Sequence, residues 1–316
     1  MKPASSSSAR MKVHLLENFR ALFYTPFYAT FELGAFEAEG VDVEMKPSSG
    51  FGNSLAALAA GEAEVSWGGP MRVMLARDKD ASASEVAFCE VVGRDPFYLI
   101  GRAPNPSFQM RDLLRVKVAT VSEVATPWIC LQYDMRLAGV DPAKISRVAD
   151  QSMASNVEAL RRGEVDVIQI FQPFARMLME EGVGHLWYAA ASRGPACYTT
   201  LNTTRAFIEK HPDTVLRMTR AVYRAQKWIR EHDGEQLASV VARYFPGVPP
   251  ALLASCCNEY KSSQVWSTKP IVQRGGLEWK REAMVSCGAI RKGLSYEDYV
   301  DPRFADQALA EDPPSM

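Results

Sequence analysis

The sequence predicts an α/β protein of two lobes, each built on a mainly parallel sheet flanked by helices. Short apolar segments with strand character alternate with segments of helical period from residue 12 to residue 101. The same alternation starts again after a proline-rich break at residues 102–112. Strands separated by helices are typical of parallel sheets, and 316 residues are enough for two lobes.

The first lobe opens with a predicted strand at residues 12–17, followed by a helix that ends at Gly34. Pro26 fits the first turn of this helix, where a missing N–H is no loss. Residues 41–45 alternate between apolar and polar side chains, which indicates a half-buried strand. Two later strands, at residues 86–92 and 96–101, complete this part of the chain.

Between these strands, residues 46–74 combine features that suit a binding loop. A turn-rich run at residues 47–53 leads into a short helix that ends at Gly61. A strand at residues 64–67 then runs into Gly68 and Gly69. Exposed backbone donors beside a bare glycine surface suit a small polar or anionic ligand. The alternative is a βα unit whose loops only turn the chain.

The second lobe repeats this order of elements. Strands are predicted at residues 114–120, 145–149 and 165–170, with helices at 128–137 and 153–162 between them. The segments ALAAGEAEVSW (57–67) and EALRRGEVDVI (158–168) share one design of helix, glycine, acidic turn and strand. This short likeness supports two similar lobes.

The chain then returns to the first lobe. Residues 186–201 are predicted to form a strand, a turn and a second strand that crosses back, and long helices follow at 204–233 and 274–292. At the N-terminus we expect a disordered leader at residues 1–10. Lobe 1 is expected to comprise residues 11–101 and 196–316, and lobe 2 residues 102–195.

Composition argues against several classes of protein. A net charge of −1 and the lack of a basic stripe give no reason to expect nucleic-acid binding. Six scattered cysteines without a C-x-x-C pair, and only four histidines, predict buried free thiols and neither a metal site nor a disulfide framework. No apolar run approaches the roughly 18 residues of a membrane span, and the N-terminus lacks the apolar core of a secretory signal. Taken alone, the sequence suggests a cytoplasmic protein, or a mature chain whose leader was lost or replaced.

Several phrases resemble one family. GAFEAEGVDV (34–43) resembles the pattern G-[YF]-F-x-x-[EQ]-G-L-x-V of periplasmic solute-binding proteins of the NMT1/THI5-like group. Residues 56–69 are similar to the helix–strand step of that group, and residues 116–142 to its passage K-[IV]-A-V-x-x-G-S-x … A-G-L-x-P. Residues 204–215 resemble its F-x-x-x-x-P-x-x-V helix. The resemblance covers residues 12–305.

This resemblance implies a clamshell of the periplasmic-binding-protein type II class, in which a small-molecule ligand binds between two lobes. It also implies a periplasmic location and, as partners, the permease and ATPase of an ABC importer, with no cofactor. Some relatives are enzymes. The thiamine-pyrimidine synthase of fungi uses a lysine and a histidine where this chain has Gly68 and Arg72, and only Cys197 lies near its cysteine cluster. The nucleophilic cysteine of a sulfinate desulfinase has no match, because no cysteine precedes Cys89.

Loops at the carboxyl ends of parallel strands are where ligands settle in open α/β sheets, and they supply the candidate ligand-binding residues. In the first lobe these are Asn18, Phe19, Arg20, Ser48, Ser49, Gly50, Trp67, Gly68, Gly69 and Arg72. In the second lobe they are Ser122, Glu123, Thr126, Gln169, Phe171 and Gln172, with Tyr198 on the returning segment.

Each candidate also has a purely structural interpretation. Arg72 suits a carboxylate or sulfonate, but a lone arginine is more often a solvated side chain on a helix face, and the same applies to Arg20. Ser122 and Thr126 could cap a helix. Trp67 and most of the aromatic residues near Phe23 suit a core. No catalytic constellation is found, so the leading hypothesis is a binding protein for a sulfonate, carboxylate or pyrimidine-type ligand. A cytoplasmic enzyme on the same fold (a decarboxylase, a desulfinase or a pyrimidine-forming enzyme) is the alternative.

Overall fold

The structure, a computed structural model, describes residues 11–47 and 54–316. The expected leader at residues 1–10 and the candidates Ser48, Ser49 and Gly50 lie outside the described residues. No helix of the described chain is both long and apolar enough for a membrane span.

Ten strands form two five-stranded sheets, as the sequence predicts for an α/β protein of two halves. In chain order the strands are β1 (Lys12–Glu17), β2 (Asp42–Pro47), β3 (Val65–Gly68), β4 (Glu85–Val92), β5 (Tyr98–Gly101), β6 (Lys117–Ala119), β7 (Ser146–Val148), β8 (Val167–Ile170), β9 (His185–Ala189) and β10 (Thr199–Thr204). The first sheet has the order β2-β1-β3-β10-β4 and the second β7-β6-β8-β5-β9.

The two sheets share one topology. In the first sheet β10 runs antiparallel to both neighbours, β3 and β4, whereas β1 pairs in parallel with β2 and β3. In the second sheet β5 takes the same place, antiparallel to β8 and β9, and β6 pairs in parallel with β7 and β8. Each sheet is therefore mainly parallel with one reversed strand, which confirms the predicted fold class.

One expected boundary does not match the strand pairing. We placed residues 96–101 in the first lobe, but Tyr98–Gly101 pairs with β8 and β9 of the second sheet. The chain thus passes between the sheets at residues 93–97, and it returns at residues 190–198. An isolated apolar segment such as PFYLIG shows that a strand is buried, but it does not show which partner strands it joins.

Helices cover the faces of both sheets. They are α1 (Thr25–Glu32), α2 (Ala35–Ala38), α3 (Ser54–Ala59), α4 (Met71–Lys79), α5 (Thr126–Leu137), α6 (Met153–Arg161), α7 (Phe174–Glu180), α8 (Arg205–Lys210), α9 (Pro212–Glu231), α10 (Gly234–Val241), α11 (Pro250–Ser262), α12 (Arg274–Ser286), α13 (Tyr296–Tyr299) and α14 (Arg303–Glu311). Short 3₁₀ helices lie at Leu22–Tyr24, Met110–Arg115, Pro142–Lys144, Ala190–Arg193 and Ala242–Tyr244. The sequence analysis does not identify α7, whose seven residues are too few to show a helical period.

A buried acid lies close to where the chain leaves the first sheet. Glu90 on β4 is fully buried, and its Oε1 accepts hydrogen bonds from Ser267 Oγ at 2.7 Å and from Gln273 Nε2 at 3.1 Å. Burial raises the pKa of the Glu90 carboxyl, and these hydrogen bonds oppose the shift. The folded state therefore holds the Glu90 proton to higher pH than the unfolded chain, whose glutamates titrate near a pH of about 4.3.

This shift predicts a pH dependence of stability. Because the folded state binds the extra proton, the free energy of unfolding should fall as pH rises from about 4.3 towards the folded pKa. Glu90→Gln removes the ionisable group, so the stability difference between variant and wild type should move in favour of the variant over that range. Urea denaturation of both proteins at several pH values measures it. If the stability difference between Glu90→Gln and wild type did not change with pH, the raised pKa of the Glu90 carboxyl would be contradicted.

Candidate functional site

A cavity of about 270 Å³ lies between the lobes, where loops at the carboxyl ends of β1, β6 and β8 meet. Both lobes contribute lining residues: Phe19, Arg20, Ala21, Leu22 and Phe245 from the first, and Glu123, Val124, Met153, Ala154, Phe171, Gln172, Pro173 and Phe174 from the second. Five of the predicted candidates, Phe19, Arg20, Glu123, Phe171 and Gln172, are thus brought together. We call this space the inter-lobe cavity.

Arg72 lies on α4, the helix that follows strand β3 and its terminal glycine in the chain. Its Nη1 donates to Asn18 Oδ1 at 2.6 Å and to Ser54 Oγ at 3.1 Å. The residue is half-buried, and burial lowers the pKa of its guanidinium. Within residues 11–47 and 54–316, no carboxylate pairs with it. Arg72 is therefore a desolvated cation whose described partners are neutral.

Asn18 connects Arg72 to the aromatic part of the site. Its Nδ2 donates to the hydroxyl oxygen of Tyr24 at 3.1 Å. Tyr24 is buried, which raises the pKa of its phenol. Arg72 itself does not line the inter-lobe cavity, but Asn18 directly precedes the lining residue Phe19. Neither Tyr24 nor Ser54 was a candidate from the sequence, because neither directly follows the end of a strand.

Gly68 is the last residue of β3 and Gly69 follows it, and neighbouring groups come close to the backbone at both positions. A Cβ atom on Gly69 would lie 3.2 Å from the backbone oxygen of Tyr198, which is tighter than ordinary contact. A Cβ atom on Gly68 would lie 3.5 Å from Arg72 Nη1. Gly69 therefore lets the returning segment pack against the end of β3, whereas a side chain at Gly68 would meet the guanidinium at an ordinary contact distance.

Arg20 differs from Arg72 because it has a carboxylate partner. Its Nε and Nη2 donate to the two oxygens of Glu17 at 2.6 and 2.9 Å, and its Nη1 donates to the backbone oxygen of Tyr244. The hydrogen bonds to Glu17 raise the pKa of the Arg20 guanidinium. Although Arg20 lines the cavity, its charge is already compensated.

Trp67 lies in the core of the first lobe. Its side chain is fully buried and stacks on Phe27 with ring centroids 4.4 Å apart. Trp67 is therefore not among the lining residues of the inter-lobe cavity.

The second-lobe candidates fall into separate environments. Ser122 is exposed. Glu123 accepts a hydrogen bond from the backbone nitrogen of Met153 at 2.8 Å, which ties it to the start of α6. Its other oxygen, Oε2, is buried and has no hydrogen-bond partner in the described chain. Thr126 Oγ1 lies 3.5 Å from the sulfur of Met71 and contacts the first lobe.

The two glutamines are buried and engaged in hydrogen bonds. Gln169 Nε2 donates to the backbone oxygen of Pro127 at 2.9 Å. Gln172 Nε2 donates to Glu259 Oε2 at 2.8 Å, and its backbone nitrogen donates to the hydroxyl of Tyr260 at 3.0 Å. Because Glu259 and Tyr260 belong to α11, Gln172 connects the lobes at one edge of the cavity.

Aromatic rings occupy much of the space between the lobes. Phe171 of the second lobe packs edge-on against Phe23 and Phe97, with centroids 5.2 Å away in each case. Tyr198 packs edge-on against Phe23 at 5.9 Å. These contacts reduce the gap and leave the inter-lobe cavity as a small apolar space beside Asn18.

Comparison with known proteins agrees with this architecture. The family model described as NMT1/THI5 like matches residues 23–236. The Bacillus subtilis protein YtlA, whose name describes it as a candidate binding protein, is 22% identical over 302 residues, which covers 95% of this chain and 90% of YtlA.

Two solved structures show the same fold. One is the periplasmic aliphatic sulphonate binding protein SsuA from Escherichia coli, with a TM-score of 0.74, 15% identity and coverage of 92% of this chain and 98% of SsuA. The other is the desulfurization enzyme DSZB, with a TM-score of 0.69, 15% identity and coverage of 96% of this chain and 100% of DSZB. The family model spans well over half of the sequence, so this chain belongs to the NMT1/THI5-like family.

Proposed function

We propose that this protein captures a small organic anion between its lobes and delivers it to an ABC importer. The observation that carries the proposal is Arg72, a desolvated guanidinium whose described partners are the neutral side chains of Asn18 and Ser54. A partly desolvated cation with no carboxylate partner among the described residues is unfavourable. A carboxylate or sulfonate would supply that charge and accept two parallel hydrogen bonds from the guanidinium.

Arg72 does not line the inter-lobe cavity, but its partner Asn18 directly precedes the lining residue Phe19, so the cavity would take the organic part of such a ligand. The inter-lobe cavity is lined mostly by apolar and aromatic groups, among them Phe19, Phe171 and Phe174. Its volume of about 270 Å³ is at the lower end of the range for ligand pockets, which favours a small molecule. The unpartnered Oε2 of Glu123 would accept a hydrogen bond from an N–H or O–H group of the ligand.

The named relatives support a transport role. SsuA from Escherichia coli is a periplasmic binding protein for aliphatic sulphonates, and YtlA is named for binding. By analogy, we infer a periplasmic location for this chain, and an ABC permease and ATPase as its partners. Sulfonates, aromatic carboxylates and pyrimidines are the ligand classes to examine first.

Titration calorimetry against a panel of these three classes tests the proposal. We expect an anionic member of the panel to bind, and we expect the recovered ligand to be chemically unchanged. Chromatography of each mixture after incubation detects any product. Turnover of a sulfinate or a carboxylate would instead support the enzyme alternative, for which DSZB provides a precedent on the same fold. A panel without any binding would refute the proposal.

Asn18→Ala should weaken binding moderately. The substitution removes the hydrogen bond that orients Arg72 but leaves the guanidinium in place. We expect a loss of about 0.5–1.5 kcal/mol, the usual net contribution of one hydrogen bond. Calorimetry with the best ligand of the panel measures this loss. Affinity equal to that of the wild type would show that Asn18 does not position Arg72 for the ligand.

A further inference from the structure

Helix α5 of the second lobe is in contact with helix α12 of the first lobe. At the rim of this contact, Tyr133 of α5 donates to Glu282 of α12 at 2.8 Å. At its centre, Cys130 of α5 faces Lys280 of α12. A bond between these two side chains would join the second lobe to the first.

The Cys130–Lys280 contact is close and fully buried. Lys280 Nζ lies 3.0 Å from Cys130 Sγ, and both residues have no exposed surface. Lys280 Nζ also lies 4.9 Å from the ring centroid of Tyr198. Throughout the described chain, no carboxylate pairs with Lys280. A fully buried lysine is almost always paired with an acid. It is therefore unusual that Lys280 has a thiol as its hydrogen-bond partner within the described chain.

The sulfur is shielded while the helices remain in contact. Burial raises the pKa of the Cys130 thiol, and the charge of Lys280 acts in the opposite direction. Oxidation requires access to the sulfur. Local separation of α5 from α12 would provide that access, and renewed contact would return the sulfur to Lys280.

We propose that Cys130 and Lys280 form a covalent modification site, at which a hydroperoxide oxidant links the two side chains as a sulfenamide. This inference goes beyond ligand binding and does not depend on the identity of the ligand. The cross-link would hold α5 against α12 and so keep the lobes together.

The chemistry balances in two steps. First, the Cys130 sulfur attacks hydrogen peroxide, the O–O bond breaks, and the thiol becomes a sulfenic acid with release of one water. Then the Lys280 ammonium passes a proton to the sulfenic oxygen, its nitrogen lone pair attacks the sulfur, and an S–N bond forms as the S–O bond breaks. A second water leaves, and the extra proton on the nitrogen passes to solvent. Sulfur is oxidised and peroxide is reduced. Two molecules of a thiol reductant restore the free cysteine and lysine and form one disulfide.

Peptide mass spectrometry of the full-length protein tests this inference. After treatment with hydrogen peroxide and blocking of free thiols, trypsin should release residues 118–136 joined to residues 275–281. The joined species should weigh about 2 Da less than the sum of the two peptides, because two hydrogens are lost. Cleavage after Lys280 should be suppressed, and dithiothreitol should restore both peptides.

Variants define the chemistry of the link. Lys280→Met and Cys130→Ser should abolish the joined species, with folding checked by circular dichroism. Cys287→Ser removes a partly exposed cysteine that directly follows α12. This variant should form the joined species as the wild type does. The proposal is overturned if the peroxide-treated wild type shows only oxygen addition at Cys130, a disulfide, or unmodified peptides. It is also overturned if the joined species forms in Lys280→Met.

Discussion

Replacing Arg72 by alanine is expected to weaken binding of the organic anion by about 10- to 150-fold. This range corresponds to about 1.5–3 kcal/mol, the contribution of hydrogen bonds to a charged group. The large effect follows from the position of the guanidinium, which is desolvated and has Asn18 and Ser54 as its described partners. Calorimetry with the best ligand of the panel gives the two dissociation constants.

Arg20→Ala is the matched control for this prediction. Arg20 lines the inter-lobe cavity, but its charge is already compensated by Glu17. Its removal should therefore change the affinity less than the removal of Arg72. Arg72→Lys should fall between wild type and alanine, because lysine keeps the charge but not the planar pair of donors. Equal affinity of wild type and Arg72→Ala would remove Arg72 from the binding site.

Replacing Arg193 by methionine is expected to destabilise the fold by about 3–5 kcal/mol, because it leaves buried charges without a partner. Arg193 lies on the returning segment. Its Nη1 donates to Asp95 Oδ2 at 2.6 Å, and its Nε donates to Asp134 Oδ1 at 2.9 Å. All three side chains are at most 7% exposed. The arginine therefore joins both chain crossings to α5 of the second lobe.

Urea denaturation followed by circular dichroism measures the stability of Arg193→Met. Arg162→Met is the control, since the Arg162–Glu164 pair is exposed and its loss should change the stability far less. Adding Asp95→Asn and Asp134→Asn to Arg193→Met should recover much of the lost stability, because the buried negative charges are then gone. A loss of less than about 1 kcal/mol in the single variant would show that these charges are not desolvated at the crossing.

The sequence predicted the order of elements well, because the relevant signals are local. Glycine and proline mark the turns, and the spacing of apolar residues distinguishes helices from strands, as at Val65–Gly68 and Met153–Arg161. The membership of Tyr98–Gly101 in the second sheet could not be predicted in the same way. That membership depends on pairing with β8 and β9, which lie far along the chain.

The candidate site shows the same difference between local and distant information. The rule that ligands bind at the carboxyl ends of parallel strands selected Phe19, Glu123 and Phe171, and all three line the inter-lobe cavity. The partner of an arginine depends on what the fold brings near it, so the sequence could not distinguish Arg20, paired with Glu17, from Arg72. Nor could it show that Cys130 meets Lys280, 150 residues away.

A crystal structure of the protein with the best ligand of the panel tests the central claim most directly. We predict that the ligand lies between the lobes and that its carboxylate or sulfonate oxygens are within hydrogen-bond distance of the Arg72 guanidinium. A ligand bound outside the cleft, or one whose anionic group contacts other residues while Arg72 keeps only Asn18 and Ser54, would contradict it.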